Sequence, residues 1–146
     1  MMLCKLVIGN RLSVISRRNK MKHAKSFRDL EVYKLVRQLS REIYEVSKSF
    51  PNEEMYSLTN QIRRSSRSVG AQIAEAWAKR RYEKHFVSKL TDADGEQQET
   101  QHWIETALDC VYISEAQSKD WLELYASVGR MLNSMIDKAS QFCSHH

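Results

Sequence analysis

Between Val32 and Phe50 the apolar residues fall in one register. Val32, Val36, Leu39, Ile43, Val46 and Phe50 recur at spacings of 4, 3, 4, 3 and 4. That pattern is a single apolar stripe on an α-helix, sustained long enough to demand bundle packing. Ser26 can open the segment, with Asp29 three residues later in capping-box spacing. Pro51 closes it, because the residue before a proline avoids the helical region. Pro51 is also the only proline, and the chain has four glycines. So few turn formers exclude an all-β sandwich or barrel. At 146 residues and 42% apolar, the chain is the size of one domain. A domain of this length buries roughly 68–70% of its unfolded surface and needs neither disulfide nor metal to fold. A 28% charged fraction with three Trp and six Tyr argues against disorder. No apolar run approaches a membrane span.

Three more helices follow. The second is expected over about Glu54 to Lys79, with Leu58, Ile62, Ser65, Val69, Ile73 and Ala76 as its stripe. Ser66, Gly70, Ala71, Ala74 and Ala78 add small residues, and Gly70 is expected at a close helix crossing, since glycine inside a helix costs about 1 kcal/mol relative to Ala. The third is expected from Tyr82 to about Glu115, with Phe86, Leu90, Ala93, Gln97, Ile104, Leu108 and Val111 facing inward. Gln97 and Thr100 interrupt its apolar pattern and must be hydrogen-bonded. Ser118 is expected to cap the last helix, which turns Leu122, Tyr125, Val128, Leu132, Met135, Ile136 and Phe142 inward. Four amphipathic helices with short connections predict an all-α, up-down-up-down antiparallel four-helix bundle.

Charge is unevenly spread. Residues 1–20 hold five basic residues and no acid, so the net charge of +5 comes entirely from them. From Arg63 to Lys89 there are eight basic residues against two acids, and from Asp92 to Glu123 nine acids against one base. Two readings stand: a phosphate-binding surface, or pairing between neighbouring elements or subunits. Arg63, Arg64 and Arg67 fall within about 100° on a helix, and Lys79, Arg80, Arg81 and Lys84 follow. These seven are the candidate nucleic-acid contacts, with Tyr82 able to stack on an unpaired base.

Other constellations point away from catalysis. Glu75, among Ala71, Ala74 and Ala76, is expected to make a bundle-organising pair with Arg64 or Arg67 of a neighbouring helix or subunit. Glu99 and His102 have the Glu-x-x-His spacing of di-iron bundles, but no second such motif exists, so no metal or other cofactor is expected. Cys4, Cys110 and Cys143 match no zinc spacing and read as reduced thiols of a cytoplasmic protein. No nucleophile elbow, P-loop or dinucleotide fingerprint is present, so neither enzymatic activity nor a small-molecule substrate is expected. The three Trp belong to core or interface, and the surplus apolar surface predicts an oligomer.

Several segments carry a family resemblance. Phe27-Arg28-Asp29-Leu30-Glu31-Val32-Tyr33-Lys34 resembles the opening of the four helix bundle proteins encoded in intervening sequences of bacterial 23S ribosomal RNA genes. Leu58 to Val69 is similar to their L-x-x-Q-[IL]-R-R-x-x-x-S-[IV] segment. Gln72-Ile73-Ala74-Glu75-Ala76 is similar to N-I-A-E-G, departing at Gln72 and Ala76. Leu90 to Glu96, with Glu99-Thr100, resembles L-x-x-A-x-G-S followed by E-T. The resemblance covers about residues 25–143. It implies a bundle assembled as a homopentameric ring, and a kinship with accessory proteins of diversity-generating retroelements, which engage a reverse transcriptase and nucleic acid. It marks Gln61, Ser68, Gln72, Glu75 and Glu99 as structural or interface polar positions.

The expected organisation is an N-terminal extension over 1–24 and a bundle domain over 25–146. The extension reads as a misplaced start ahead of Met21, an organellar presequence or a basic arm, and in each case lies outside the folded core. The expected function is a non-enzymatic assembly protein, an RNA or ribonucleoprotein scaffold. The alternative is a protein–protein adaptor ring without nucleic acid.

Overall fold

A computed structural model describes residues 24–143. The expectations for residues 1–20 and for Cys4 lie outside the described residues. The fold is an all-α helical bundle. Its helices are α1 (Glu31–Ser47), α2 (Asn60–Ala78), α3 (Glu83–Asp109), α4 (Glu115–Asp137) and the short α5 (Ala139–Phe142). Among the described residues there is no strand. The long helices pack cyclically: α1 against α2 and α4, and α3 against α2 and α4.

The helix stripes account for the core. Val32, Val36, Leu39 and Ile43 of α1, Ile62, Val69, Ile73 and Ala76 of α2, Phe86, Leu90, Ala93 and Ile104 of α3, and Tyr125, Val128, Leu132 and Met135 of α4 are all buried. Each large apolar side chain sequestered in this way contributes about 1.5–3 kcal/mol. Trp121 is fully buried and joins the core, while Trp77 and Trp103 are partly buried against it.

The helix ends differ from the sequence expectations in four places. Ser26 and Asp29 form a reciprocal capping box, but it opens a single tight turn over Phe27–Asp29, and α1 starts only at Glu31. The second helix does not run on from Glu54. A wide turn over Met55–Thr59 intervenes, in which Ser57 leaves helical geometry (φ −124°, ψ −109°) and Leu58 and Thr59 turn inward. The third helix stops at Asp109 rather than near Glu115, so Val111 is exposed and Leu108 only half-buried, with Ala107 taking the inner position. Ser118 does not cap the last helix. Ser114 does, its hydroxyl accepting from the Gln117 N–H at 3.0 Å, and Ser118 lies buried one turn inside.

Gln97 and Thr100 are buried at mid-bundle and are hydrogen-bonded. Thr100 Oγ1 donates to Ser65 Oγ of α2 at 2.9 Å. Gln97 Nε2 donates to Asp94 Oδ1 at 2.9 Å, and Gln97 Oε1 accepts from Gln101 Nε2 at 2.7 Å. The close approach is at Gly129 of α4, not at Gly70. A Cβ on Gly129 would lie 2.8 Å from Gln97 Nε2, whereas one on Gly70 would meet Tyr33 at an ordinary 3.6 Å.

Candidate nucleic-acid interface

Rotation around α2 divides the expected basic patch. Gln61, Arg64, Ser68, Gln72 and Glu75 recur at spacings of 3, 4, 4 and 3, one stripe of the helix. Most of this stripe bonds to α3. Arg64 pairs with Glu99 and, at 3.5 Å, with Glu96, and its Nε donates to Gln61 Oε1. Lys89 of α3 reaches back to Glu75 at 2.9 Å and donates to Gln72 Oε1 at 3.4 Å. Ser68 is half-buried on the same stripe. Within the chain Glu75 therefore pairs with Lys89 and not with Arg64 or Arg67, which lie too far along the same helix to reach it. The pair is half-exposed rather than buried. The Lys89 hydrogen bond and charge hold the Glu75 carboxyl below its ordinary range, and the same bond raises Lys89. Glu99 is engaged by Arg64. Its neighbour His102 lies against the Trp103 ring instead, with centroids 4.7 Å apart. Among the described residues no cluster of three His, Cys, Asp or Glu side chains is placed to hold a metal.

Arg63 and Arg67 point the other way, toward α1. Arg63 Nε donates to Ser47 Oγ at 2.8 Å. The guanidinium groups of Arg63 and Arg67 and the ammonium of Lys48 all lie over the Tyr44 ring, at 4.8, 5.3 and 4.8 Å from its centroid. Glu45 is the one carboxylate in this cluster, and it pairs with Lys48. Among the described residues Arg67 has no carboxylate partner. On α1, Arg37, Arg41, Tyr44 and Lys48 recur at spacings of 4, 3 and 4. A basic stripe on α1 thus runs beside the basic pair on α2. Arg37, Arg41, Tyr44 and Lys48 are not among the site residues expected from the sequence, although their spacing on the polar side of the α1 stripe is a readable signal.

The remaining basic residues form a separate group at the α2–α3 turn. Arg80 stacks on the Trp77 ring at 3.6 Å and its Nε donates to the Trp77 carbonyl at 2.9 Å. Arg81 lies 5.7 Å from the ring of exposed Tyr82. Lys79 and Lys84 are exposed, and the Lys79 charge helps lower the Glu75 carboxyl. Twelve residues separate Arg67 from Lys79, about 18 Å along the helix, so the seven expected contacts do not form one patch.

A groove lies between α1 and α2, beside the Tyr44 cluster. Its volume is about 220 Å³, and its lining includes Tyr33, Arg37, Arg67, Gly70, Ala71 and Ala74. A shallower depression of about 400 Å³ on the outer side of α1 is lined by Gln38, Arg41, Glu42, Glu45 and Val46, and there both signs of charge are present. Cys110 and Cys143 are free thiols, and burial pushes the Cys143 thiol up. No helix among the described residues is long and apolar enough to cross a membrane.

The model of the family described as 23S rRNA-intervening sequence protein matches residues 28–134. That span runs from the first turn through most of α4. The chain belongs to this family. Among solved structures, it is similar to a crystal structure of a protein of unknown function from the S23 ribosomal protein family of Bacteroides thetaiotaomicron. The two share 28% identity with a TM-score of 0.66, over 73% of this chain and 95% of that one. A search of curated proteins finds no match. Within the matched span, Arg64 lies on the α2–α3 seam and Arg63 on the face toward α1.

Proposed function

We propose that this member of the 23S rRNA-intervening sequence family is a non-enzymatic assembly module of the cytoplasm that binds RNA through the α1–α2 face. In this reading its helices run up-down-up-down, and copies associate as a homopentameric ring that repeats the face around its circumference. The observation that carries the RNA reading is the convergence of Lys48, Arg63 and Arg67 on Tyr44 with a single carboxylate nearby. Glu45 pairs with Lys48 alone, so Arg63 and Arg67 repel one another, and a phosphate relieves that repulsion while accepting from the arginine forks. Surface arginines spread at random would not share one ring.

The test is light scattering coupled to size exclusion on the full chain, purified without nuclease at low salt, with absorbance at 260 and 280 nm. The expected result is a mass of about five chains with excess 260 nm absorbance that high salt removes. The double variant Arg63→Glu/Arg67→Glu is expected to lose that absorbance. A clean protein spectrum from the unmodified chain overturns RNA binding and leaves the protein-only adaptor.

A further inference from the structure

The groove beside the Tyr44 cluster combines three features. Its floor is made of Gly70, Ala71 and Ala74; the Tyr33 ring and Val36 already lie in contact range above Gly70, so the floor is open at exposed Ala71 and half-buried Ala74. One wall is aromatic: Tyr33 stands over Gly70, and Phe27 meets Tyr33 edge-on with centroids 4.9 Å apart. Its rim is cationic. Arg37 and Arg67 line it, and Arg28 lies 4.4 Å from the Phe27 ring. Among the described residues no carboxylate lines the groove. The hydrogen bonds of Arg37 and Arg28 run to Tyr33 and Ser26 hydroxyls, and Arg67 stacks on Tyr44.

We infer that this groove receives an unpaired base of single-stranded RNA, with the flanking phosphates on Arg37 and Arg67. The inference rests on the RNA reading above and names its substrate class. An aromatic wall with a flat, small-residue floor suits a base, because every base has a stackable face. Bases in an A-form duplex stay in the stack and do not enter such a groove, whereas splayed single strands do. A helix from a second copy would also cover the floor, but it would have to set carboxylates against Arg28, Arg37 and Arg67, since burying them unpaired is costly. A strand of RNA brings its own anions to the rim. Arg67 links the two sites, since it lines the groove and also lies over Tyr44, so one strand can follow the α1–α2 seam.

Fluorescence anisotropy on the full chain tests this with three labelled probes at one salt concentration. They are a mixed-sequence single strand of ten nucleotides, the same strand with alternate bases removed, and its duplex. The unmodified chain should bind the intact strand about tenfold tighter than the other two, the order expected for one to two stacked bases. Ala74→Leu fills the floor and should remove that preference while leaving the abasic strand unchanged. Ala71→Leu, at an exposed position, does the same where Ala74→Leu disturbs folding, as judged by thermal unfolding. Arg63→Glu should weaken all three probes alike. If filled variants keep the preference while Arg63→Glu weakens binding, the base site is wrong and the RNA reading stands. Equal binding of all three probes by the unmodified chain has the same meaning. If filling dissolves the oligomer and leaves the base preference intact, the groove is a contact between copies and the inference fails. If no probe binds, both readings fall.

Discussion

Val111 has a φ of 61°, the one positive value among the described non-glycine residues. It sits just past α3, where the Tyr112 N–H donates to the Ala107 carbonyl and the Val111 N–H to the Leu108 carbonyl, both at 2.9 Å. These paired bonds form a left-handed helix stop that glycine ordinarily occupies. A side chain in that conformation costs about 1–2 kcal/mol, and Val111, 84% exposed, recovers little through burial. Val111→Gly is therefore expected to raise the unfolding free energy by about 1 kcal/mol in urea titrations, after allowing for glycine's looser unfolded state. Two glycines should respond in opposite directions. Gly95 has nothing within 4 Å of an added Cβ, so Gly95→Ala should stabilise by about 0.5–1 kcal/mol. Gly129→Ala drives its methyl into the Gln97 amide and should cost about 1–3 kcal/mol. Tyr125 gives a pH prediction. Its hydroxyl is buried without a hydrogen-bond partner, and burial, helped by the Glu42 charge, raises its pKa well above the ordinary 10.0. Above about pH 10 the unfolded chain loses this proton and the folded chain keeps it, so stability falls as pH rises. Tyr125→Phe should flatten the alkaline limb of a pH–stability curve, and at pH 7 it should leave stability unchanged or slightly higher.

At the scale of elements, the apolar stripes were legible because a repeat of 3.6 leaves the same mark whatever lies beyond the helix. Every member of the expected α2 stripe, Leu58 to Ala76, is buried. Helix ends were less legible because they depend on which of several similar side chains reaches a free N–H. The sequence pattern places the cap at Ser118, one turn too late; the cap falls on Ser114, and Ser118 is drawn into the core. Stability measurements separate them. Ser114→Ala should cost about 1 kcal/mol, while Ser118→Ala, which removes a buried hydroxyl without a partner, should cost nothing measurable. The wide turn at Met55–Thr59 left no sequence signal, since Ser57 is neither glycine nor proline. Gly70 and Gly129 look alike in sequence, and only the neighbour across the helix, Tyr33 or Gln97, decides which one marks a close approach.

At the scale of the molecule, the charge imbalance was legible but its direction was not. Arg63 and Arg64 are adjacent, yet about 100° of helix rotation sends one to Tyr44 and the other to Glu96 and Glu99. Pairing between elements therefore accounts for Arg64, and the proposed phosphate contact concerns Arg63 and Arg67 alone. Arg64→Ala should leave salt-dependent RNA binding unchanged and shift stability by no more than about 1 kcal/mol, because its ion pairs are partly solvated. Arg63→Glu/Arg67→Glu should lower the slope of log affinity against log salt by about 1.4, or about 0.7 for each lost phosphate contact to a single strand. Equal slopes for the two variants would return Arg63 and Arg67 to a purely structural role.

The fit of Gln97 against Gly129 also restricts which chains can share helices. Sliding α4 by one turn, about 5.4 Å, would bring Tyr125 or Asn133 to the level that Gly129 occupies. Neither leaves room for an amide that already lies within 2.8 Å of where a Cβ would be. A copy that lends its α4 to a neighbour, or a chimera that borrows the helix from a relative, keeps the Gln97 hydrogen bonds to Asp94 and Gln101 only if it presents a residue without a side chain at this level. Relatives with a larger residue there should be rejected as donors however well their outer surfaces match.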